Sequence, residues 1–410
     1  MHILILEAYD GGSHKQFLDG LVAHSRHRYT RLGLPARKWK WRMRGSALYF
    51  AARLRAPGSA AEAEGCQAEL IFTSDMTSAA DLRALLPAPL NRRPLVAYFH
   101  ENQLTYPLPE EAQRDYQFGM TNITSCLAAD AVWFNSQYHQ EEFLAAVEGL
   151  LRRMPDYVPT GTVEGIRSRA AVLPLGLDEE LFEIGRRRAG GHPPTVRSAP
   201  AAESGCPSTT AGAPRTGAGE PAGVNGQAPV RILWNHRWEY DKNPEEFFAV
   251  LLDLQRAGVP FRLLVAGQSF RQAPPIFAAA REQLAGRIEH FGTVPDRRAY
   301  RELLGRADVA VSTARHEFFG LAVREATAAG CFPLLPRRLS YPELVPGNEH
   351  TIYLYGVSGE LRERLACLCR HGAPPLSAGL RGAVEALAWP RLIGRYDEAF
   401  EEAARRGGGG

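Results

Sequence analysis

The 410-residue sequence has no uninterrupted apolar run of the roughly 18 residues that a membrane-spanning helix needs, so we expect no membrane span. The N-terminus, MHILILEAYDGG, has a short apolar run without a basic leader before it or a small-residue cleavage site after it. A signal peptide is therefore not expected. Together these absences make the cytosol the expected compartment.

Cysteine is also scarce, with six residues scattered along the chain. The one close pair, Cys367 and Cys369, has a single residue between its members, which is not the spacing of a zinc knuckle. We therefore expect reduced and mostly buried thiols.

Overall charge is small, at +3, but the cations are placed unevenly. Residues 1–60 hold eleven Lys or Arg against three Asp or Glu, so the rest of the chain is net acidic. This local excess indicates an anionic partner for the N-terminal part of the protein.

A chain of this length predicts two domains, because a single core stops growing at roughly 250 to 300 residues. Short aliphatic runs alternate with helix-length amphipathic stretches, which is typical of parallel sheets covered by helices. The fold class is therefore α/β, with two Rossmann-like domains facing a cleft. The predicted strands cover 2–7, 68–74, 95–100, 131–136 and 171–176 in the first half, and 231–236, 261–267, 287–292, 309–313 and 331–336 in the second.

Between the two halves the composition changes to Gly, Ala, Pro, Ser and Thr with almost no large apolar residue. Such a segment cannot build a core, so we expect a disordered linker. An amphipathic stretch near the C-terminus follows the second sheet and is expected to return to the first domain. The predicted organisation is a first domain at 1–184, the linker at 185–228, a second domain at 229–388 and the returning helix at 389–406.

The most specific motif is a pair of glutamates, Glu317 and Glu325, on either side of a Gly-containing turn into a helix. Backbone N–H groups at Phe319, Gly320 and Leu321 would suit the phosphates of a ligand. The carboxylate of Glu325 can accept hydrogen bonds from both hydroxyls of a ribose. The alternative is an ordinary helix with two solvated glutamates.

A second motif, HRWEYDKNPEEF, follows the first strand of the second domain. Arg237 and Lys242 would lie in a loop at the carboxyl end of that strand, where cations can neutralise a diphosphate leaving group. The alternative is a solvated loop before a helix that Asn243 caps.

Two further loops follow strands of the first domain. Gly12 allows a tight turn and a close approach of the backbone to a ligand, and His14 adds a polar group that could face the cleft. His100, Glu101 and Asn102 end another strand, where a group that orients an acceptor belongs. A structural role for the histidine is about equally compatible with the sequence.

A basic strip lies early in the chain, where cations alternate with tryptophans. This pattern fits RNA, because cations meet phosphates and indoles stack on splayed bases. The alternatives are a membrane-surface segment and a solvated strip whose tryptophans pack inward. The strip consists of Arg37, Lys38, Trp39, Lys40, Trp41, Arg42 and Arg44, with Met43 among them.

The two glutamates with the Arg and Lys pair resemble glycosyltransferase family 4, which has the GT-B fold. More narrowly, the sequence is similar to the tRNA-queuosine alpha-mannosyltransferase family over 1–178 and 230–346. The segments that carry this resemblance are ILILEAYDGGSHKQ, LPARKWKWRMRGSALYF, YFHENQLTYP, FNS, and HEFFGLAVREA followed by YPEL. The linker at 185–228 departs from the family pattern, and the high content of Arg, Ala and Gly is typical of a bacterial protein.

This resemblance implies a retaining transferase that moves mannose from GDP-mannose to queuosine at the wobble position of tRNA-Asp, without a metal. By position, Glu325 would hold the donor ribose, Arg237 and Lys242 the diphosphate, and Glu317 the sugar. His100 would lie on the acceptor side and, with Glu317, is a catalytic candidate. Other donor contacts would come from Gly12, Phe319, Gly320 and Leu321. The acceptor tRNA would meet His14, Glu101, Asn102 and the basic strip.

Two other functions remain open on the sequence. One is a transferase of the same fold that acts on an envelope lipid or a small molecule, with the basic strip binding anionic headgroups. The other is an inactive RNA-binding relative, against which the presence of all four donor-site residues argues. The sequence does not fix the oligomeric state.

Overall fold

The structure, a computed structural model, describes residues 1–58, 65, 67–107, 114–190, 228–268 and 274–407. Most of the linker expected at 185–228 lies outside these residues. The chain divides into two compact units. The first comprises Met1–Asp178, His316–Leu321 and Ala386–Gly410, and the second comprises Glu179–Arg315 and Ala322–Glu385.

The first unit is built on a parallel sheet of six strands covered by helices. Its strands are β1 (His2–Asp10), β2 (Arg28–Pro35), β3 (Leu70–Ser74), β4 (Leu95–Phe99), β5 (Ala131–Phe134) and β6 (Ala170–Val172). They lie in the order β2-β1-β3-β4-β5-β6. Its helices are α1 (Gly12–His24), α2 (Trp39–Arg55), α3 (Ala79–Leu85), α4 (Tyr116–Ala128), α5 (Gln137–Leu151) and α6 (Thr162–Arg167), with a 3-10 turn at Leu90–Arg92.

The second unit repeats this architecture. Its strands are β7 (Val230–Trp234), β8 (Phe261–Ala266), β9 (Ile288–Gly292), β10 (Val309–Val311), β11 (Phe332–Pro336) and β12 (Leu354–Tyr355), in the order β12-β11-β10-β7-β8-β9. Its helices are α7 (Glu179–Gly190), α8 (Pro244–Arg256), α9 (Ile276–Gln283), α10 (Arg297–Arg306), α11 (Leu321–Ala328), α12 (Tyr341–Leu344), α13 (His350–Tyr353), α14 (Ser358–His371) and α15 (Ala378–Glu385). Its 3-10 turns are Tyr240–Lys242, Ala285–Arg287 and Gly347–Glu349.

All ten strands predicted from aliphatic runs are present, and the α/β fold class is confirmed. In β1 the side chains from Ile3 to Leu6 are fully buried on both faces, as a covered parallel sheet requires. The sequence missed β2 and β12. Both lie at sheet edges, and β2 is at least partly exposed along its whole length, so it lacks a continuous apolar run.

The start of the linker was placed too early. Residues 185–190 continue α7, and the expected boundary at 184 falls inside that helix. Arg188 fixes this end of the helix, because its guanidinium donates to the carbonyl of Ala307 and lies 3.2 Å from Oδ1 of Asp308. Polar tertiary contacts of this kind leave no mark in the composition of the segment.

Cys126, Cys331 and Cys369 carry free thiols and are buried, as expected from the sequence. Cys367 is half-buried. Burial raises the pKa of the Cys331 thiol to about 11, which makes it a poor nucleophile at neutral pH.

Parallel strands bring their carboxyl ends to one edge of the first sheet. β1 pairs with β3, β3 with β4, and β4 with β5, in register. Polar residues follow directly at this edge: Asp75 after β3, His100 after β4 and Asn135 after β5. The fold therefore gathers side chains that lie far apart in the sequence.

The C-terminal stretch forms α16 (Trp389–Gly407), which belongs to the first unit. Trp389, Tyr396 and Phe400 are buried, and the Tyr396 hydroxyl donates to the carbonyl of Leu173 at 3.1 Å. Asp397 accepts hydrogen bonds from the Ser25 hydroxyl at 2.5 Å and from the Arg26 N–H at 3.3 Å. Although α16 has 19 residues, no helix in the described part of the chain is both long and apolar enough to cross a membrane.

Two glycines make room for the indole of Trp389. A Cβ atom at Gly20 in α1, or at Gly176, would overlap the ring. Gly394 lies in the same helix as the indole but is exposed, and a Cβ there would meet nothing within 4 Å.

Gly20→Ala should therefore lower the free energy of unfolding by about 1 to 3 kcal/mol, because the indole must move in a packed core. The matched variant Gly394→Ala should be neutral or gain up to about 1 kcal/mol from helix propensity. Urea denaturation of both variants measures the difference. Equal stability of Gly20→Ala and the wild type would contradict the packing of α16 on α1.

Candidate active site

A buried carboxylate ends the apolar part of β1. The side chain of Glu7 is 1% exposed, and its Oε1 accepts hydrogen bonds from the Tyr9 N–H at 2.7 Å and from the Ser74 hydroxyl at 2.9 Å. The same oxygen lies 3.4 Å from Nδ1 of His14 in α1. Glu7 therefore joins the end of β1, the end of β3 and the first turn of α1.

His14 lies face to face with His100. The ring centroids are 3.9 Å apart and the rings are tilted by 30°. The His100 N–H donates to Oδ1 of Asp75 at 2.9 Å, and the His100 carbonyl accepts from the Asn135 amide at 2.9 Å. The loop after β4 is thus held by residues from both neighbouring strands.

The charges in this cluster follow from burial and proximity. Burial alone lowers the pKa of His14, but the negative charge of Glu7, helped by Asp75 and Glu101, raises it to about 9. Burial raises the pKa of Asp75 to about 8 despite the charge of His14. Burial and the charge of His14 hold the pKa of His100 well below its usual value. At neutral pH a protonated His14 thus faces a neutral His100.

The loop that follows His100 uses its polar groups in two ways. Asn102 is fully buried, and its Oδ1 accepts from the N–H groups of Leu104 and Thr105 at 3.0 and 2.9 Å. The side-chain amide of Asn102 therefore forms its hydrogen bonds within the loop itself. Glu101 is half-buried and accepts from the Gln103 amide at 3.1 Å. An acceptor contact is geometrically more open to Glu101 than to Asn102.

The segment His316–Leu321, which precedes Glu325, groups with the first unit. Phe318 stacks on His139 with ring centroids 3.9 Å apart, and its carbonyl accepts from the Ser136 hydroxyl. Glu317 is half-buried and Phe319 is buried. Gly320 has φ +76°, a backbone conformation that favours glycine at the turn before α11.

In the second unit, Lys242 is buried with a carboxylate. Its Nζ lies 3.1 Å from Oδ2 of Asp241, and the two side chains are 7% and 3% exposed. The Thr313 hydroxyl lies 2.9 Å from the carbonyls of both Lys242 and Asn243, which ties this loop to the end of β10. Arg237 is more open, at 45% exposed, and lies 3.6 Å from Glu239.

Glu325 is also buried, at 3% exposed, on α11. Its Oε1 accepts from Nη2 of Arg297 at 2.6 Å. The Tyr300 hydroxyl accepts from the Asn235 amide at 2.9 Å, and burial, followed by the charge of Glu325, raises the pKa of that hydroxyl. Glu325 is therefore a fixed and oriented carboxylate, unlike a solvated glutamate on a helix surface.

The basic strip forms the start of α2. Trp39 packs partly inward, 5.0 Å from the ring of Phe118, whereas Trp41 is 76% exposed. Arg42 is half-buried and donates to the Pro35 carbonyl at 3.2 Å. The inward-packing interpretation thus fits one tryptophan of the two. The exposed cations of the strip are Arg37, Lys38, Lys40 and Arg44, and Lys38 has a left-handed φ of 55°.

The structure groups the predicted residues in two sets. The second unit contains Arg237, Lys242 and Glu325. The first unit contains the basic strip and the other predicted residues, which are Gly12, His14, His100, Glu101, Asn102, Glu317, Phe319, Gly320 and Leu321. Sequence reasoning missed Glu7, Asp75, Asn235, Arg297 and Tyr300. A polar residue at the end of a buried aliphatic strand is the signal that could have found the first three.

No group of three or more His, Cys, Asp or Glu side chains that could hold a metal ion occurs among the described residues. A metal-free reaction stays a prediction.

Two family models match the chain. One, described as tRNA-queuosine alpha-mannosyltransferase N-terminal, covers residues 2–177, and the other, described as glycosyl transferases group 1, covers residues 225–357. The tRNA-queuosine alpha-mannosyltransferase of Drosophila melanogaster is 36% identical over 370 residues, which are 90% of this chain and 87% of that protein. The chain belongs to this family. It is therefore a glycosyltransferase.

More distant similarities agree with the fold. A GDP-mannose-dependent alpha-(1-6)-phosphatidylinositol dimannoside mannosyltransferase of Mycobacterium tuberculosis is 33% identical over 124 residues, 30% of this chain and 31% of that protein. A sucrose-phosphate synthase from Thermosynechococcus elongatus has a TM-score of 0.65 at 18% identity, covering 98% of each chain. Anabaena HepE in complex with UDP has a TM-score of 0.61 at 16% identity, covering 99% of this chain and 100% of that one. The fold is GT-B, as the sequence predicted.

The Glu7–His14 pair predicts a pH dependence of stability. The pKa of His14 in the folded protein, about 9, lies above its ordinary value of 6.5, so its contribution is complete below pH 6.5 and is lost as pH rises through 9. Glu7→Gln removes the charge that raises this pKa. In that variant the decline in unfolding free energy between these pH values should flatten, with a loss of about 1 to 3 kcal/mol at neutral pH.

Urea denaturation at a series of pH values tests this expectation. The control Glu69→Gln replaces an exposed glutamate at the start of the neighbouring strand and should keep the wild-type profile. Parallel profiles for Glu7→Gln and the wild type would show that Glu7 does not set the charge of His14.

Proposed function

We propose that this enzyme transfers mannose from GDP-mannose to queuosine in the anticodon of tRNA-Asp, with retention at the anomeric carbon and without a metal. The observation that carries the proposal is the 36% identity to the Drosophila tRNA-queuosine alpha-mannosyltransferase over 90% of this chain. The family model of that enzyme's N-terminal part matches residues 2–177, which contain the basic strip and the His14–His100 cluster. The similarity thus includes the unit to which we assign the acceptor.

For the donor, the Mycobacterium relative is itself GDP-mannose-dependent, and its match supports the same donor here. Glu325 would accept hydrogen bonds from the ribose hydroxyls, with Arg297 fixing its orientation. The backbone at Phe319, Gly320 and Leu321 would approach the phosphates at the start of α11.

Departure of the nucleoside diphosphate is the main electrostatic demand of the reaction, because negative charge grows on the leaving oxygen as the glycosidic bond breaks. Arg237 and Lys242 would stabilise that charge. Lys242 is well suited because the buried Asp241 holds its ammonium group in a site with little water to screen it.

On the acceptor side, the neutral imidazole of His100 can accept a hydrogen bond from a sugar or acceptor hydroxyl. Burial and the positive charge of His14, which Glu7 holds as a cation, would keep that ring neutral. Gly12 would let the backbone approach the donor. Glu317 would hold the transferred sugar and Glu101 the acceptor, while Asn102 shapes the loop between them. The basic strip would bind tRNA phosphates.

A lipid acceptor is the strongest competing assignment, because the Mycobacterium relative acts on a phosphatidylinositol dimannoside. That similarity spans 30% of the chain, against 90% for the tRNA-modifying relative. An inactive RNA-binding protein is disfavoured, since Glu317, Glu325, Arg237 and Lys242 are all present and two of them are buried polar groups with ionic partners.

The direct test is incubation of the purified protein with GDP-mannose and queuosine-bearing tRNA-Asp, followed by mass spectrometry of the nucleosides. A hexose increment on queuosine is expected, and none with UDP-glucose as the donor. Two parallel reactions use other acceptors. One contains tRNA that lacks queuosine, and the other contains phosphatidylinositol mannoside in place of tRNA. Transfer to the lipid alone would replace the proposed acceptor.

The two cations of the donor site should respond differently to mutation. Arg237→Ala should lower kcat on the order of 10- to 100-fold without changing stability, because this side chain is nearly half exposed. Lys242→Ala should also lower the free energy of unfolding by about 3 to 5 kcal/mol, since it leaves the carboxylate of Asp241 buried without its cation.

The double variant Asp241→Asn with Lys242→Met separates these effects, because it removes both buried charges together. It should recover stability but not turnover. Wild-type turnover in Arg237→Ala and in the double variant would exclude both cations from the reaction.

A further inference from the structure

The first unit exposes several aromatic side chains. Among its described residues, the aromatic rings of Trp41, Tyr49, Tyr116 and Tyr157 are exposed by 76%, 45%, 39% and 93%. Two lie on α2, one begins α4 and one follows α5. Exposed aromatic rings can stack on unpaired bases when cations accompany them to bind the phosphates.

The start of α4 contacts one arginine of α2 and one that follows α5. From α2, Arg44 lies 3.7 Å from Asp115 and places its guanidinium 4.8 Å from the ring of Phe118. From the end of α5, Arg153 places its guanidinium 4.9 Å from the ring of Tyr116 and donates to that hydroxyl. The start of α4 therefore connects Arg44 of the basic strip with Arg153, which lies just after α5.

The charge of this extended surface is positive. The segment after α5 adds Arg152 and Arg153 to the strip, which makes seven cations. The acidic side chains of the described residues nearby are Asp115, which pairs with Arg44, Glu148, which pairs with Arg152, and Asp156. Cations therefore outnumber the carboxylates by more than two to one, which suits a polyanion.

Tyr157 stands out within this surface. It is 93% exposed, its φ is +49°, and the residues from Arg152 to Thr160 are all exposed. A left-handed backbone at a bulky residue costs roughly 1 kcal/mol or more, and no core packing repays it here. An exposed ring in the same segment as Arg152 and Arg153 has the chemistry that binds an unpaired base and its phosphates.

We propose that residues 152–157 form a second RNA contact, continuous with the basic strip. Arg152 and Arg153 meet phosphates, and the ring of Tyr157 stacks on an unpaired base of the tRNA. This proposal rests on the proposed function, because it takes tRNA as the partner. It extends that function by assigning RNA binding to a segment outside the motifs of the sequence.

Three variants test the contact in filter-binding titrations with queuosine-bearing tRNA-Asp at several salt concentrations. Arg152→Ala with Arg153→Ala should weaken binding and reduce the slope of log affinity against log salt by about 1.4 to 1.8, the value for two lost phosphate contacts. Tyr157→Ala should weaken binding roughly 5- to 100-fold with an unchanged slope, because stacking releases no counterions. Tyr157→Phe keeps the ring and should bind as the wild type does.

The matched control is Arg298→Ala. Arg298 is 85% exposed and pairs with Glu302 one helical turn away, as Arg152 pairs with Glu148, but it lies in the second unit. It should leave both tRNA affinity and salt slope unchanged. Melting temperatures and GDP-mannose affinities should be the same in all variants, since every altered side chain is exposed.

Wild-type tRNA affinity in the Arg152/Arg153 and Tyr157→Ala variants would overturn this proposal. So would a loss of adsorption to phosphatidylserine vesicles with unchanged tRNA binding, which would assign the segment to a membrane surface. Hexose transfer to queuosine by the wild-type protein is measured in a separate assay from the tRNA-binding titrations. If the wild type fails to modify queuosine, the proposed function fails, while the titrations still report on the RNA contact.

Discussion

The ion pair between Glu7 and His14 sets the chemistry of the first unit. A carboxylate at the end of a buried strand loses its hydration, and without partners it would take up a proton. Here the Tyr9 N–H, the Ser74 hydroxyl and the His14 imidazolium replace that water. Burial lowers the pKa of His100, and the positive charge of His14 against its ring lowers that pKa further. Glu7 in β1 thus fixes the charge of His14 and, through it, contributes to keeping His100 neutral.

The same physical logic recurs in the second unit with different residues. The buried carboxylate of Glu325 is oriented by Arg297, which is partly exposed, and Lys242 is held by Asp241 in a pair that is buried on both sides. Buried pairs of this kind contribute little net stability, because desolvation offsets most of the Coulomb attraction. Their value lies in geometry, since a fixed charge needs no reorganisation when a ligand develops charge beside it. Both units therefore use a buried ion partner to position a functional group.

Much of the fold could be predicted from the sequence because buried parallel strands appear as continuous aliphatic runs. The edge strand Arg28–Pro35 escaped, since a half-exposed strand with arginines and a glycine resembles a loop. The start of the linker was misplaced because α7 depends on Arg188 and residues more than 100 positions away. In the site, the sequence motifs predicted residues such as Glu325 and His14, but not the side chains that pair with them. Glu7 and Asp75 carry no local pattern that reveals a histidine brought to them by the fold.

The C-terminal helix has a consequence for the synthesis of the protein. Phe17 and Tyr98 belong to the first part of the chain to leave the ribosome, yet Trp389 and Tyr396 complete the aromatic cluster around them. The first unit therefore lacks part of its aromatic cluster until α16, which follows the second unit in the sequence, has been synthesised. The second unit has its elements contiguous apart from one short segment and can fold earlier. The unit that is started first is thus completed last, the reverse of the usual order in which the N-terminal domain folds first.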